Sequence, residues 1–254
     1  MKPIRYHFDL ILHLARRNFI LQYQGSALGV LWSLLLPLFQ LTVLVFLFQK
    51  IIPLNVADFP AFVFAALIPW NWFSNSINSA PGVFLSNRDL VRRPNFVSSL
   101  LLIVNVVTQL FTFLVSLPIL FAILLWSGRG VAFSWVFFPI LVLTQGILLV
   151  GLGLILAVWN VFYRDVGHLV TMAVMLLFYV TPVFYLPQWV DRHYRFFFAW
   201  NPVAILVQNY RAIFYYGAPP DWGSLLTASF ISAGVLGAGI FVYHRQIHNV
   251  IDAI

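Results

Sequence analysis

The chain of 254 residues contains no cysteine and no glutamate, and only 8% of its residues are charged. A typical soluble domain carries about 25% charged residues. The lack of cysteine excludes disulfides, a thiol nucleophile and a thiolate metal site. Seven aspartates and 14 lysines and arginines are too few to cover a soluble surface, and 62% of the residues are hydrophobic. Most of the outer surface must therefore face lipid, and the sequence predicts an integral membrane protein.

The sequence also lacks the local motifs of nucleotide and hydrolytic chemistry. It contains no glycine-rich phosphate loop, no His-Glu-x-x-His and no Gly-x-Ser-x-Gly. All seven aspartates lie in predicted interfaces or loops and no histidine lies at mid-span, which gives little support to a proton or sodium relay. We predict no catalytic residue, no metal site and no cofactor in this chain. Any ATP, with its Mg²⁺, must then be bound elsewhere.

Long apolar runs predict an all-α membrane fold in a single domain, 1–254. Six transmembrane helices are expected, at residues 27–52, 59–85, 97–126, 134–162, 169–186 and 225–243. Helically spaced apolar residues in 7–24 predict an amphipathic helix at the membrane interface before the first span. The apolar, proline-broken segment 187–222 predicts short re-entrant helices before the last span, around 190–200 and 203–216.

Basic residues are distributed unequally between the loops that these spans would place on the two sides of the membrane. With the N-terminus inside, the outer segments carry Lys50, Arg129, Arg192, Arg195 and Arg211. The inner segments carry Lys2, Arg5, Arg16, Arg17, Arg88, Arg92, Arg93, Arg164 and Arg245. Because cytoplasmic loops carry the excess of Lys and Arg, both termini are predicted to be cytoplasmic. The same distribution accounts for the net charge of +7 without a nucleic acid partner.

One run of polar and aromatic residues lies well inside an apolar stretch and is a candidate substrate site. Trp70, Asn71, Trp72 and Phe73 follow a proline within the second predicted span. Sugar rings present apolar C–H faces that stack on aromatic planes, while amides bond sugar hydroxyls. These residues therefore either line a sugar passage or pack against a neighbouring helix, and the sequence leaves both interpretations open.

Two charged segments on the predicted cytoplasmic side are candidate partner contacts. In 86–95, Ser86 or Asn87 is expected to cap a helix of one to two turns that Pro94 ends. Its charged residues are Arg88, Asp89, Arg92 and Arg93, and they fit either a helix that docks into a cytoplasmic partner or a loop that sets topology. The pair Arg164 and Asp165 is either a structural ion pair or a second partner contact.

Several segments together resemble the permease subunits of ATP-binding-cassette exporters of polysaccharides, which serve O-antigen, capsule and teichoic acid export. They are 15–37 (ARRNFILQYQGSALGVLWSLLLP), 160–169 (NVFYRDVGHL), 181–185 (TPVFY), Asn201-Pro202 and Tyr210-Arg211. The resemblance covers nearly the whole chain. It is closest to the O-antigen group, and capsule or teichoic acid export remains the alternative within the family.

The resemblance implies a homodimer in the bacterial cytoplasmic membrane with two copies of a separate ATPase subunit. It makes 86–95 the coupling helix, 7–24 an interfacial gate helix and 187–222 the re-entrant helices near the exit. The implied cargo is an undecaprenyl-diphosphate-linked polysaccharide, and Arg16 and Arg17 are our hypothesis for the residues that guide its diphosphate. The alternative from another class is an ion-coupled flippase of lipid-linked sugars.

Overall fold

The computed structural model describes residues 4–26, 28–52, 54–94, 96–130 and 132–254. Over these residues the chain is helical and contains no strand, which confirms the all-α prediction. Residue 27, the predicted start of the first span, and residue 95, the predicted end of the coupling segment, lie outside the described residues.

The α-helices carry most of the chain and are joined by short 3₁₀ or π-helical turns. In chain order they are α1 (Ile4–Tyr23), α2 (Trp32–Phe46), α3 (Phe59–Ser79), α4 (Val83–Ser86), α5 (Arg88–Val91), α6 (Leu100–Trp126), α7 (Phe138–Phe162), α8 (Val166–Val180), α9 (Phe196–Trp200), α10 (Pro202–Phe214) and α11 (Trp222–Ala253). The turns are Gly29–Leu31, Leu47–Ile51, Ala80–Gly82, Phe133–Phe137, Pro187–Trp189 and Arg192–Tyr194.

Six helical segments correspond in position to the six predicted spans. Four of them are long and apolar enough to cross a membrane: Trp32–Ile51, Leu100–Trp126, Phe133–Phe162 and Trp222–Ala253. The fifth is α3, which is enclosed by its neighbours: its side chains from Phe59 to Ile68 are almost all inaccessible. The sixth is α8. The chain is thus a multi-pass helical bundle built around α3.

The boundaries of the last two spans differ from the prediction. For 169–186 the helix begins at Val166 and ends at Val180, because Thr181 precedes a proline and adopts extended backbone. With 15 residues, α8 reaches about 22 Å, less than the roughly 30 Å of hydrocarbon. The last helix runs well past the predicted 225–243, from Trp222 to Ala253. Its extra turns pack Val250 against the other helices.

Segment 187–222 is less helical than predicted. Around 190–200 it forms only a 3₁₀ turn and the five-residue α9. The second predicted helix is confirmed as α10, whose start is capped by Asn201: its side chain accepts from the backbone N–H of Val203 and Ala204 at 3.0 and 3.3 Å. Pro202 follows the cap at the first helical position, where no N–H is needed. The burial of Ile205, Tyr210 and their neighbours places α10 in the core.

The two ends of the bundle differ in the residues that hold them. The basic end contains the chain from Ala80 to Arg93, the α7–α8 turn and the end of α11, joined by a small apolar cluster. The far end contains the α2–α3 and α6–α7 connections. There Arg129 pairs with Asp58 at 3.1 Å and donates to the carbonyl of Tyr215 at 2.8 Å.

Arg211 ties α10 to two other elements near the far end. It is 2% exposed, and its guanidinium lies 3.8 Å from the centre of the Phe62 ring on α3. It donates to the carbonyls of Phe62, Pro182 and Val183 at 3.3, 2.8 and 2.6 Å. Those of Pro182 and Val183 follow the end of α8 and lie outside its helical hydrogen bonds. One arginine therefore satisfies the backbone where α8 breaks.

Two glycines bring α7 and α11 into backbone contact. A Cβ added to Gly151 would lie 2.6 Å from the backbone nitrogen of Leu236, and one added to Gly239 would collide with the carbonyl oxygen of Gly151. Side chains larger than hydrogen would force the helices apart. This contact fixes α11 against α7 along its middle.

Candidate substrate cavity

Polar side chains recur at helical spacing on three apolar helices and face one another. On α3 they are Asn71, Asn75 and Asn78, which lie on one face because residues three and four apart are neighbours. On α6, Gln109 and Ser116 occupy the matching face, and α2 contributes Ser33 and Gln40. The helices therefore enclose a polar space inside an otherwise apolar bundle.

That space is a cavity of about 670 Å³ between α1, α2, α3 and α6. Its volume lies within the range of small-ligand sites. Its wall consists of Gln22, Tyr23, Ser33, Leu36, Pro37, Gln40, Ile68, Asn71, Trp72, Asn75, Asn78, Ser79, Gln109, Thr112, Phe113 and Ser116. From Asn78 to Ile68 it extends about 15 Å along α3. None of the lining residues is aspartate, lysine, arginine or histidine.

Part of the cavity wall is locked by hydrogen bonds and part is open. Ser79 donates to Asn105 Oδ1 at 2.8 Å, and Asn105 Nδ2 donates to the carbonyl of Ser76 at 3.0 Å, which joins α3 to α6. In contrast, Asn75 is exposed in the wall, so its amide is open to a ligand. Gln109 Oε1 and Thr112 Oγ1 have no hydrogen-bond partner among the described residues, but both atoms are inaccessible.

The aromatic residues of the predicted sugar site fall into two groups. Trp70 and Phe73 are both 3% exposed and pack against each other, and Trp70 also packs against Phe178 of α8. Trp72 and Asn71 line the cavity, although Trp72 is only 2% exposed. Trp72 stacks on Phe113 with ring centres 5.4 Å apart, and its Nε1 donates to the carbonyl of Val106 at 3.2 Å. The contacts of Trp70 and Phe73 are those of helix packing.

The sequence analysis missed most of the polar residues of this cavity. Gln40, Asn75, Gln109, Thr112 and Ser116 were not among the predicted site residues. Their spacing of three, four and seven residues within apolar spans is the signal that would have found them, because it places each set on one face of its helix.

Arg16 and Arg17 are exposed on α1 and do not line the cavity. The neighbouring Ala15 is fully buried against α6, where the Thr108 hydroxyl lies 3.5 Å from its carbonyl oxygen. The same helix reaches the cavity at Gln22, more than one turn further on. The structure therefore places the two arginines on the outer face of a helix whose end forms part of the cavity wall.

The predicted coupling segment contains a helix of about one turn, as expected, but the predicted cap is wrong. α5 has four residues, among them Arg88 and Asp89, and no side chain caps it. Asn87 Nδ2 donates instead to the carbonyl of Val83 at 2.8 Å, and Ser86 Oγ donates to that of Gly82. Both side chains satisfy the end of the preceding helix because its last carbonyls lack backbone partners.

The charged residues of the segment 86–94 are exposed, while a buried apolar residue holds the segment in place. Arg88, Asp89, Arg92 and Arg93 are exposed, whereas Val91 is 2% exposed and packs in the apolar cluster of the basic end. Charge that is exposed on an anchored segment is available to a partner protein.

Asn160 connects this segment to the second predicted partner contact. It is buried, its Nδ2 donates to the carbonyl of Pro81 at 3.0 Å, and its Oδ1 accepts from the backbone N–H of Gly167 at 3.1 Å. Arg164 and Asp165 lie in the turn between Asn160 and Gly167, are both exposed and form no ion pair with each other. The structural ion pair is thus not seen, and both charges are free to meet a partner.

The sequence profile of the ABC-2 type transporter family matches residues 9–215, from α1 to the end of α10. The chain belongs to the ABC-2 type transporter family. The match covers the cavity, the coupling segment and the Arg211 contact, and it confirms the resemblance predicted from the sequence segments. Membership in this family makes the chain a membrane-spanning transport component and implies an ATPase partner in the transporter.

Individual ABC-2 proteins similar to this chain have names that concern polysaccharides. The O-antigen export system permease protein RfbA of Myxococcus xanthus is 34% identical over 247 residues, 96% of this chain and 95% of that protein. The protein of the same name from Klebsiella pneumoniae is 28% identical over 238 residues, 93% of this chain and 92% of its own. The polysialic acid transport protein KpsM of Escherichia coli is 24% identical over 224 residues, 86% of each chain.

Proposed function

We propose that this chain is the membrane-spanning subunit of an ATP-driven exporter that moves a lipid-linked polysaccharide of the O-antigen type across the bacterial cytoplasmic membrane. The observation that carries the proposal is the uncharged, amide-lined cavity in a chain of the ABC-2 family. Amides and hydroxyls exchange hydrogen bonds with sugar hydroxyls, and neutral contacts of this kind are weak enough to let a polymer move on.

The relatives support a glycan as the cargo. Two proteins that this chain matches over more than nine tenths of its length carry the name of an O-antigen export permease. A more distant relative is named for polysialic acid transport. We assign the O-antigen type because its relatives are the more similar. The lipid link is part of the proposal, and a cavity that borders α1, the predicted interfacial helix, supports it.

In this proposal, the residues around the cavity have different roles in binding the polysaccharide. Asn71 and Trp72 contact the glycan, while Trp70 and Phe73 hold α3 against its neighbours so that the wall keeps its shape. Arg16 and Arg17 bind the carrier's diphosphate at the membrane surface, because a guanidinium donates two parallel hydrogen bonds to phosphate oxygens. In this arrangement α1 acts as the gate helix.

The exposed charges of the basic end dock the ATPase. Arg88, Asp89, Arg92 and Arg93 form one contact and Arg164 with Asp165 the other, and Asn160 keeps the two segments in register. We place this end and both termini in the cytoplasm, where ATP is available. Two copies of the chain and two ATPase subunits complete the exporter. An ion-coupled flippase is disfavoured, because no carboxylate or histidine lines the cavity to carry a proton or sodium ion.

The first experiment compares two strains, one that lacks the gene for this chain and one with a catalytically dead partner ATPase. Full-length lipid-linked polysaccharide should accumulate on the cytoplasmic face of the membrane in both. Accumulation only in the deletion strain would contradict ATP dependence and favour the ion-coupled flippase. Short or absent polymer would mean that the chain acts in synthesis.

A second experiment tests the docking surface. Replacement of Arg88, Arg92 and Arg93 by Glu should abolish co-purification of the ATPase, because the contact would then be repulsive. The matched control is Arg192→Glu, an exposed arginine at the far end. Equal retention of the ATPase by both variants would contradict the assignment of this segment.

A further inference from the structure

The charge of the cavity wall bears on which polysaccharide it accepts. Among the lining residues there is no cationic side chain to pair with an acidic sugar, and Arg16 and Arg17 lie outside the wall. An anion inside would lose water without gaining a counter-charge, which is a strongly unfavourable transfer. A neutral sugar exchanges its hydrogen bonds with water for hydrogen bonds with amides, so its transfer into the cavity costs little free energy.

The hydrogen-bonding groups of the wall are amides and hydroxyls, among them the exposed amide of Asn75. An amide both donates and accepts, and a hydroxyl takes either role. Such a set matches the hydroxyls of a neutral sugar, which also donate and accept. It offers a carboxylate hydrogen bonds but no opposite charge.

The aromatic part of the wall is rigid and uncharged. Trp72 is held by its stacking on Phe113 and by the hydrogen bond from its Nε1 to Val106. Only 2% of Trp72 is exposed, so it forms a firm backing of the wall. It brings no positive charge that could pair with an anion.

We infer that the cavity accepts neutral sugar units and rejects acidic ones, so that the exported polymer is a neutral glycan at the residues that pass through this site. The inference rests on the proposed function and narrows its substrate class. It separates this chain from a transporter of a polyanion such as polysialic acid.

Binding to the purified full-length protein in nanodiscs tests this inference. The probes are a short neutral mannan oligosaccharide and a polysialic acid oligosaccharide of equal length, measured by calorimetry at physiological salt. We expect the neutral probe to bind at least about tenfold more tightly. Asn75→Leu should weaken the neutral probe about tenfold, because the sugar loses an exposed amide of the wall. Gln246→Leu, an amide at the basic end outside the cavity, should leave its binding unchanged.

A variant that adds a cation tests the electrostatic argument directly. Asn75→Arg places a guanidinium at an accessible position of the wall and should allow the polysialic acid probe to bind. Equal binding of both probes to the unaltered protein would overturn the charge selectivity and leave the proposed export function standing. Binding of neither would overturn the cavity as a glycan site, whatever the deletion strain shows.

Discussion

Two polar regions lie inside this apolar bundle, and they differ in how fully their hydrogen bonds are used. Around Arg211 the guanidinium donates to backbone carbonyls of Phe62, Pro182 and Val183 and stacks on an aromatic ring. Along the cavity of about 670 Å³, the amide of Asn75 is exposed and faces open space. The Arg211 guanidinium finds its partners within the chain, whereas the exposed amide of the cavity wall is open to a ligand.

The difference teaches how to separate structural from functional polarity in a membrane protein. A buried polar group that is paired stabilises the fold, since its loss orphans the partner. One that is exposed in a cavity wall bonds to water when no ligand is present, so it contributes little to stability and its presence needs another explanation. Substitutions in the two regions should therefore have opposite signatures in stability and transport.

The largest loss of stability is expected from Arg211→Met. The change leaves the carbonyls of Phe62, Pro182 and Val183 without a donor, and we expect a loss of about 3 to 5 kcal/mol in stability. Thermal unfolding followed by size-exclusion chromatography in detergent measures it. Arg245→Met, at an exposed position of α11, is the matched control. Similar unfolding temperatures for the two variants would contradict a structural role for Arg211.

The next largest loss of stability is expected at the close contact of α7 and α11. Gly239→Ala places a Cβ against the carbonyl oxygen of Gly151 and should reduce stability by about 1 to 3 kcal/mol. Gly237→Ala makes the same change on the same helix where nothing lies within 4 Å. The two unfolding temperatures should differ clearly, and if they coincide the backbone contact is not tight in the membrane.

A smaller loss is expected from Arg129→Met at the far end. The ion pair with Asp58 is partly exposed, with side-chain accessibilities of 31% and 38%, so it contributes little on its own. Together with the bond to the Tyr215 carbonyl we expect about 1 kcal/mol. Unfolding in low and high salt measures it, and the difference from the unaltered protein should shrink at high salt because exposed charges are screened.

The smallest effect on stability, with the largest on transport, is expected from Asn75→Leu. It removes an exposed amide of the cavity wall, so stability should change by no more than about 0.5 kcal/mol. Polysaccharide export should nevertheless fall. Gln145→Leu removes a buried amide on α7 whose Nε2 donates to the Pro69 carbonyl at 2.9 Å, and it should destabilise the fold by about 1 to 3 kcal/mol. Equal stability losses would remove the distinction between amides paired within the fold and amides exposed in the cavity.

Helix positions were predictable where a local signal exists, and the misses have local causes too. Apolar runs of helical length located six helical segments, of which four are long enough to cross a membrane. α8 ends earlier than predicted, at Val180, because of the proline at 182. Asn87 was expected to cap α5 and bonds backward to Val83 instead. Asn87 lies between the end of one helix and the start of the next, so its side chain could bond to the backbone of either. The sequence does not show which of the two has the more exposed backbone groups.

The candidate site was only partly predictable for a similar reason. Asn71 and Trp72 line the cavity as expected, while Trp70 and Phe73 face neighbouring helices. Adjacent residues of a helix point about 100° apart, so a run in the sequence cannot share one face. The polar residues of the cavity wall, among them Asn75 and Gln109, lie on two different helices. They can be recognised as one site only when the packing of α3 against α6 is known.

Composition alone determined that this protein is a helical membrane bundle, because so few charges exclude a soluble surface and an apolar backbone in lipid must be helical. Sequence segments determined its family. The tertiary structure decided which polar groups are paired and which are open. Hydrogen bonds such as those of Arg211 to Phe62, 149 residues apart, join distant segments, and their partners are set by packing rather than by local sequence.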